Sequence, residues 1–190
     1  MENLKYSLFD LFSFAIPGSI FLLSLILLDS PDKLCGTWSA AVLQLFTAVN
    51  VYAAVAFIVV AYFLGFVLAV PAALLLRFKE WLFRLPKPKH LPDKSRSEKY
   101  VLVREHSKEN FKYIEQWNVL TKLMSALAVV TLFISITFYV CIPCFPVINM
   151  CIGIGLSIAF LFRASEYHSW AVIDLDNAAY ALQTAGVVTK

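Results

Sequence analysis

Residues 40–76 read AAVLQLFTAVNVYAAVAFIVVAYFLGFVLAVPAALLL, inside a 43-residue run from Leu34 to Leu76 that carries no formal charge. As one helix these 37 residues would be about 55 Å long, whereas the hydrocarbon core of a bilayer is roughly 30 Å thick. The stretch therefore divides. Its clearly polar side chains, Gln44, Thr47 and Asn50, all lie in the first third. This pattern predicts an interfacial or re-entrant piece over about 40–50 and a spanning helix from about Val51 to Leu76, with a single tilted, projecting helix as the alternative. Gln44 and Asn50, polar where water is scarce, are candidates for a pore-facing or hinge position or for an interhelical hydrogen bond, and Asn149 shares that character.

Three further apolar stretches extend the reading. The first runs from about Leu8 to Leu28 and ends at Asp29-Ser30-Pro31 without a small-residue cleavage pattern, which predicts a retained anchor. Two more, about Val119 to Cys141 and Val147 to Arg163, flank Ile142-Pro143-Cys144-Phe145-Pro146, where two prolines stop one helix and reverse the chain. With 60% hydrophobic residues and a mean hydropathy of +0.74, the composition excludes a nucleic-acid-binding globule, a disulfide-stapled secreted domain and a disordered tail. The expected fold is all-α: one membrane domain over 1–190, a four-helix transmembrane bundle with spans near 8–28, 51–76, 119–141 and 147–163. Segments 77–118 and 164–190 supply helical extensions, forming a small cytoplasmic layer, and a basic loop.

Orientation follows from charge. Of 16 Lys and Arg, 11 fall between Arg77 and Lys112, against five acidic residues there, a net of +6. Positive residues stay on the cytoplasmic side of an inner membrane, so this loop and both termini are expected in the cytoplasm. Pro86 to Lys99 reads as an extended linker, and Ser107 as the N-cap of a helix running unbroken into the third span. The segment from Ala164 to Thr184 lacks Gly and Pro and should continue the fourth helix. The three extensions are expected to pack through Trp81, Phe83, Phe111, Trp117, Trp170 and Tyr180. Within the loop, Arg77, Lys79, Arg84, Lys87, Lys89, Lys94, Arg96 and Lys99 are candidates for contact with anionic lipid or a protein partner. Interspersed glutamates disfavour direct nucleic-acid binding.

Small residues recur at Ala61, Gly65, Ala69 and Ala73 and again at Cys151, Gly155 and Ala159, a spacing that lets helices approach closely. Either packing within one chain or a homo-oligomer interface would use them. Cys141 and Cys144 lie at the proline turn with Cys35 on the same side, where a disulfide from Cys35 to Cys141 or Cys144 is one reading and apolar filling the other. The histidines fall on the opposite side, so no metal site is expected, and no cofactor motif is present. Arg163-Ala-Ser-Glu-Tyr-His168 has a spacing that resembles the ribonuclease motif of HEPN domains, although positive-inside anchoring already accounts for Arg163. Nucleophilic triads, paired carboxylates and phosphate loops are missing from the sequence, and no enzyme is expected.

The opening Phe9-Asp10-Leu11-Phe12-Ser13-Phe14-Ala15-Ile16-Pro17-Gly18, the basic loop, the Ser-Lys-Glu-Asn-Phe-Lys-Tyr segment from Ser107 to Tyr113 and the closing hairpin form a recognisable plan. It resembles the four-span components of bacterial antiphage loci, the Kiwa membrane subunit being nearest in size, followed by multi-pass accessory proteins of RNA-targeting CRISPR loci. That resemblance implies an oligomer in the bacterial inner membrane that senses disturbance of the bilayer and signals to a cytoplasmic protein. A pore-forming effector that depolarises the membrane is the alternative, with a small-molecule transporter or membrane enzyme third.

Overall fold

The computed structural model describes residues 2–29, 50–83 and 95–185, with side chains described for 11–29, 50–79 and 95–185. Among these residues the chain is all-helical: α1 Glu2–Leu28, α2 Val51–Phe83, α3 Arg96–His106, α4 Lys108–Cys141 and α5 Val147–Thr184. Four of the five helices are long and apolar enough to cross a membrane, with α3 the exception.

The division of the uncharged stretch falls where its polar residues end. Asn50 Oδ1 accepts the Ala53 backbone N–H at 2.8 Å and its carbonyl accepts from Ala54, so Asn50 is the N-cap of α2. A capping side chain satisfies one of the four orphan N–H groups at a helix start. Gln44 lies outside the described residues. At the other end α2 runs past the apolar segment to Phe83.

Helix α1 passes through Pro17, whose missing N–H and bulk would break an isolated helix. In a bundle a neighbour compensates. Pro17 is fully buried, and the next residue, Gly18, lies so close to α2 that an added Cβ would meet the Ala61 carbonyl oxygen at 1.7 Å. Gly65 reciprocates, since a Cβ there would meet the Phe14 carbonyl oxygen at 1.9 Å. The Phe14 ring fills the flanks of this contact, 5.9 Å from Tyr62 and 5.7 Å from Phe66.

Helix α4 is the common neighbour, packing on α1, α2 and α5. Phe21 of α1 meets Phe133 at 4.9 Å, and Leu27, Phe138 and Ile142 form a buried cluster beside the turn. The α4–α5 hairpin closes on itself as Ile142 and Phe145 bond across the turn. Deep in this contact Ser157 Oγ donates to the Ala128 carbonyl at 2.6 Å. Along α1 and α4 the hydroxyls of Ser24, Thr121, Ser125, Thr131 and Ser135 instead donate to carbonyls of their own helix three or four residues back. Ser157→Ala should cost about 0.6 kcal/mol, the mean for an interhelical hydrogen bond in a bilayer, measurable by thermal unfolding in detergent.

Helix α3 corrects the expectation of an extended linker reaching Lys99. Ser95 Oγ accepts from the Glu98 N–H at 3.3 Å while Glu98 Oε2 accepts from the Ser95 N–H at 2.7 Å, a complete capping box. Only Ser107, at φ −142° and ψ 75°, separates α3 from α4. Its hydroxyl makes no cap bond and instead accepts from Asn110 Nδ2. Ser95→Ala should destabilise α3 by about 1 kcal/mol, seen as faster amide exchange over 98–103 with α4 unaffected.

Candidate functional site

Helices α4 and α5 have 34 and 38 residues, about 51 and 57 Å, so each outruns a bilayer core of roughly 30 Å. Their surplus lies at the end away from the proline turn, and there α3 lies against both. Leu102 and Val103 of α3, Ile114 of α4, and Leu175, Ala178 and Ala179 of α5 form a buried cluster, with Tyr100 and Phe111 in edge contact at 5.1 Å. The bundle thus continues into a small helical layer with its own core. Helix α3 joins it, and the side chains of Trp81 and Phe83, expected in the packing on the continuation of α2, lie outside the described residues.

Two carboxylates of α5 fasten the layer. Asp176 pairs with Lys99 Nζ at 2.8 Å, with Lys99 only 3% exposed. Asp174 Oδ2 accepts from Trp117 Nε1 at 2.9 Å. Around Trp117 stands an aromatic group: Tyr167 stacks at 5.7 Å and Trp170 meets the ring edgewise at 5.0 Å. Arg163 covers this group, 4.9 Å from Tyr167 and 5.6 Å from Trp170, and bonds Glu166 and the Tyr167 hydroxyl. A ring of amphipathic aromatics capped by a cation suits the bilayer surface. Trp117→Phe keeps the stacking but removes the bond to Asp174, at an expected cost of about 1–2 kcal/mol in thermal unfolding.

Beyond that ring the outward face of the layer sets large exposed side chains among exposed polar ones, Asn110, Lys112 and Asn177. Tyr113, Ile173 and Tyr180 are exposed, about 10–20 Å past the bilayer by helix rise. Beside Tyr113 lies a hollow of about 290 Å³ lined also by Asn110, Asp174, Asn177, Ala178 and Ala181. Tyr180, expected in the packing, belongs to this surface instead, while Phe111 and Trp117 pack as expected and Trp170 does so with part of its ring exposed.

The candidate residues from the sequence scatter. In the basic set Lys79 and Lys99 are buried and unavailable for docking: Lys79 sits over the Phe162 ring at 4.1 Å and Lys99 holds Asp176. Arg77 and Arg96 are exposed, and Arg84, Lys87, Lys89 and Lys94 lie outside the described residues. In the small-residue set Ala61 and Gly65 are buried against α1, so they pack the chain internally and offer no surface to a second subunit. Ala69 is half-buried, Ala73 and Ala159 are exposed, and Gly155 has open space where a Cβ would stand. Asn50 caps the start of α2. Cys144 is disulfide-bonded, Cys141 and Cys151 are free thiols, and Cys35 lies outside the described residues. Among the described residues no three His, Cys, Asp or Glu side chains gather as a metal site would require.

The exposed face of Tyr113, Ile173 and Tyr180 was missed in the sequence because aromatic residues at helical spacing read equally well as core. Comparison with protein-family models, with curated proteins and with solved structures gives no match to this chain.

Proposed function

We propose that this protein is an oligomeric inner-membrane sensor or effector subunit of a bacterial antiphage system, coupling the state of the bilayer to a cytoplasmic protein. The observation that carries the reading is continuity: α4 and α5 run without a break from the turn on one side of the membrane to the layer on the other. A rigid pair tied by tight packing passes a tilt or shift at one end to the other, because packed helices do not deform continuously. The layer offers a partner its exposed face of Tyr113, Ile173 and Tyr180, too far from the bilayer for lipid and rich in the aromatic side chains that anchor interfaces.

The assignment of sides rests on two features. The loop with 11 of the 16 basic residues marks the layer side as cytoplasmic, and the disulfide at Cys144, in the opposite turn, suits an oxidising periplasm. The exposed Gly155 and Ala159 support self-association through α5, and the plan shared with four-span antiphage components supports the defence role.

The test uses strains carrying the gene with its flanking genes. Ile173→Glu should leave the amount and membrane location of the protein unchanged while reducing partner affinity by about tenfold or more, a hot-spot-sized effect, and abolishing protection against phage. Protection unchanged in that variant would overturn the docking face. A potential-sensitive dye separates the pore alternative, since the sensor should leave the resting potential intact when induced without its neighbours, whereas a pore would collapse it.

A further inference from the structure

The half-buried Asn149 sits two residues into α5, next to the proline turn, and no hydrogen bond to its side chain is present among the described residues. It stands at the rim of a groove of about 290 Å³ between α4 and α5. Thr131, Ile134 and Ser135 of α4, Phe145 of the turn, and Ile152, Gly153 and Leu156 of α5 line the rest. The hydroxyl protons of Thr131 and Ser135 are already given to the carbonyls of Leu127 and Thr131 within α4, so neither donates into the groove. Gly153 lies directly on Ser135, where an added Cβ would meet its Oγ at 1.8 Å, and that contact forms the floor.

Position decides what such a groove can hold. Leu156 lies about 14 Å and Thr131 about 15 Å below the turn by helix rise, which matches one leaflet of a roughly 30 Å core. The medium at that depth is acyl chain. At the rim, beside the turn, the medium changes to the ester zone of the lipids, and there stands an amide with two N–H donors and one acceptor. An unsatisfied amide in apolar surroundings is costly, and the ester carbonyl of a glycerolipid is the acceptor available at that level. We infer that this groove is a binding site for one ester-linked phospholipid of the turn-side leaflet, its acyl chain in the groove and its ester carbonyl accepting from Asn149 Nδ2. The inference does not depend on the sensor reading.

Full-length protein reconstituted in vesicles of phosphatidylethanolamine and phosphatidylglycerol, with a trace of phosphatidylethanolamine bearing an acyl-chain diazirine, gives the first test. Adducts per exposed residue should be enriched about threefold to tenfold over 131–135 and 149–156 relative to the outward face of α2 at Val55, Phe63 and Val67, the range one hydrogen bond supplies. Ile152→Trp, which adds bulk from the groove's exposed side, should remove the enrichment while labelling of α2 is unchanged. Equal labelling of both faces, or enrichment indifferent to Ile152→Trp, would overturn the site. A second measurement is independent of groove filling: native mass spectrometry should show the wild type retaining ester-linked over ether-linked phosphatidylethanolamine, with Asn149→Leu retaining both equally. No preference in the wild type would refute the role of Asn149.

Discussion

A Gly65→Leu chain should fail to give a stable, monodisperse protein in detergent, whereas Gly155→Leu should leave the fold of the single chain within about 0.5 kcal/mol of the wild type and change only self-association through α5. The two glycines occupy similar small-residue stripes, and the difference lies in what their missing Cβ atoms would meet. At Gly155 there is open space; at Gly65 the Phe14 carbonyl oxygen stands 1.9 Å away, with the Phe14 Cα and carbonyl carbon also within 2.9 Å. These neighbours are backbone, so no rotamer change makes room. Overpacking that side chains can absorb costs about 1–3 kcal/mol, and here α1 must shift as a body, giving up the reciprocal Gly18–Ala61 approach and the Phe14 contacts with Tyr62 and Phe66. A loss above about 3 kcal/mol is expected, a large fraction of a typical domain's stability. The check is thermal unfolding of the purified variants followed by size-exclusion chromatography. A Gly65→Leu protein with wild-type melting would mean that α1 and α2 do not meet along this seam.

The same stripe shows how far the sequence could be read. Four-residue spacing at Ala61 and Gly65 announced a close helix contact, but spacing alone does not say whether the partner belongs to the same chain. Features carried by neighbouring residues were legible: the start of α2 after Asn50, the proline hairpin, the unbroken run of α5 to Thr184. Helix α3 was legible in principle, since Ser95 and Glu98 have the capping-box spacing, yet the prolines and charges just before it favoured an extended reading. The burial of Lys79 and Lys99 was not legible. A run of basic residues reads as solvated until the tertiary partners are known, and those partners, Phe162 and Asp176, lie more than 75 positions along the chain. The exposed face likewise became visible only once the residues filling the core had been identified.

That hidden pair yields the other large effect. Lys99→Met should destabilise the layer by about 3 kcal/mol, the low end for breaking a buried ion pair, because Asp176 remains 14% exposed and can regain some water. Methionine keeps the apolar stem, so the loss reports the missing charge and not a hole. Asp176→Leu leaves the opposite charge stranded on Lys99 at 3% exposure and should cost at least as much. The double variant removes both charges and should recover to within about 1 kcal/mol of the wild type, since an apolar pair in place of a buried ion pair is often neutral. Hydrogen exchange over α3 and thermal unfolding give the three differences that close the cycle. Asp176 lies 29 residues along α5 from the turn, beyond the length a bilayer core needs, so insertion into the membrane should be unaltered while α3 loosens from α4 and α5. Single variants that melt and exchange like the wild type would show that α3 is held by the apolar contacts of Tyr100, Leu102 and Val103 and that the ion pair adds nothing to the layer.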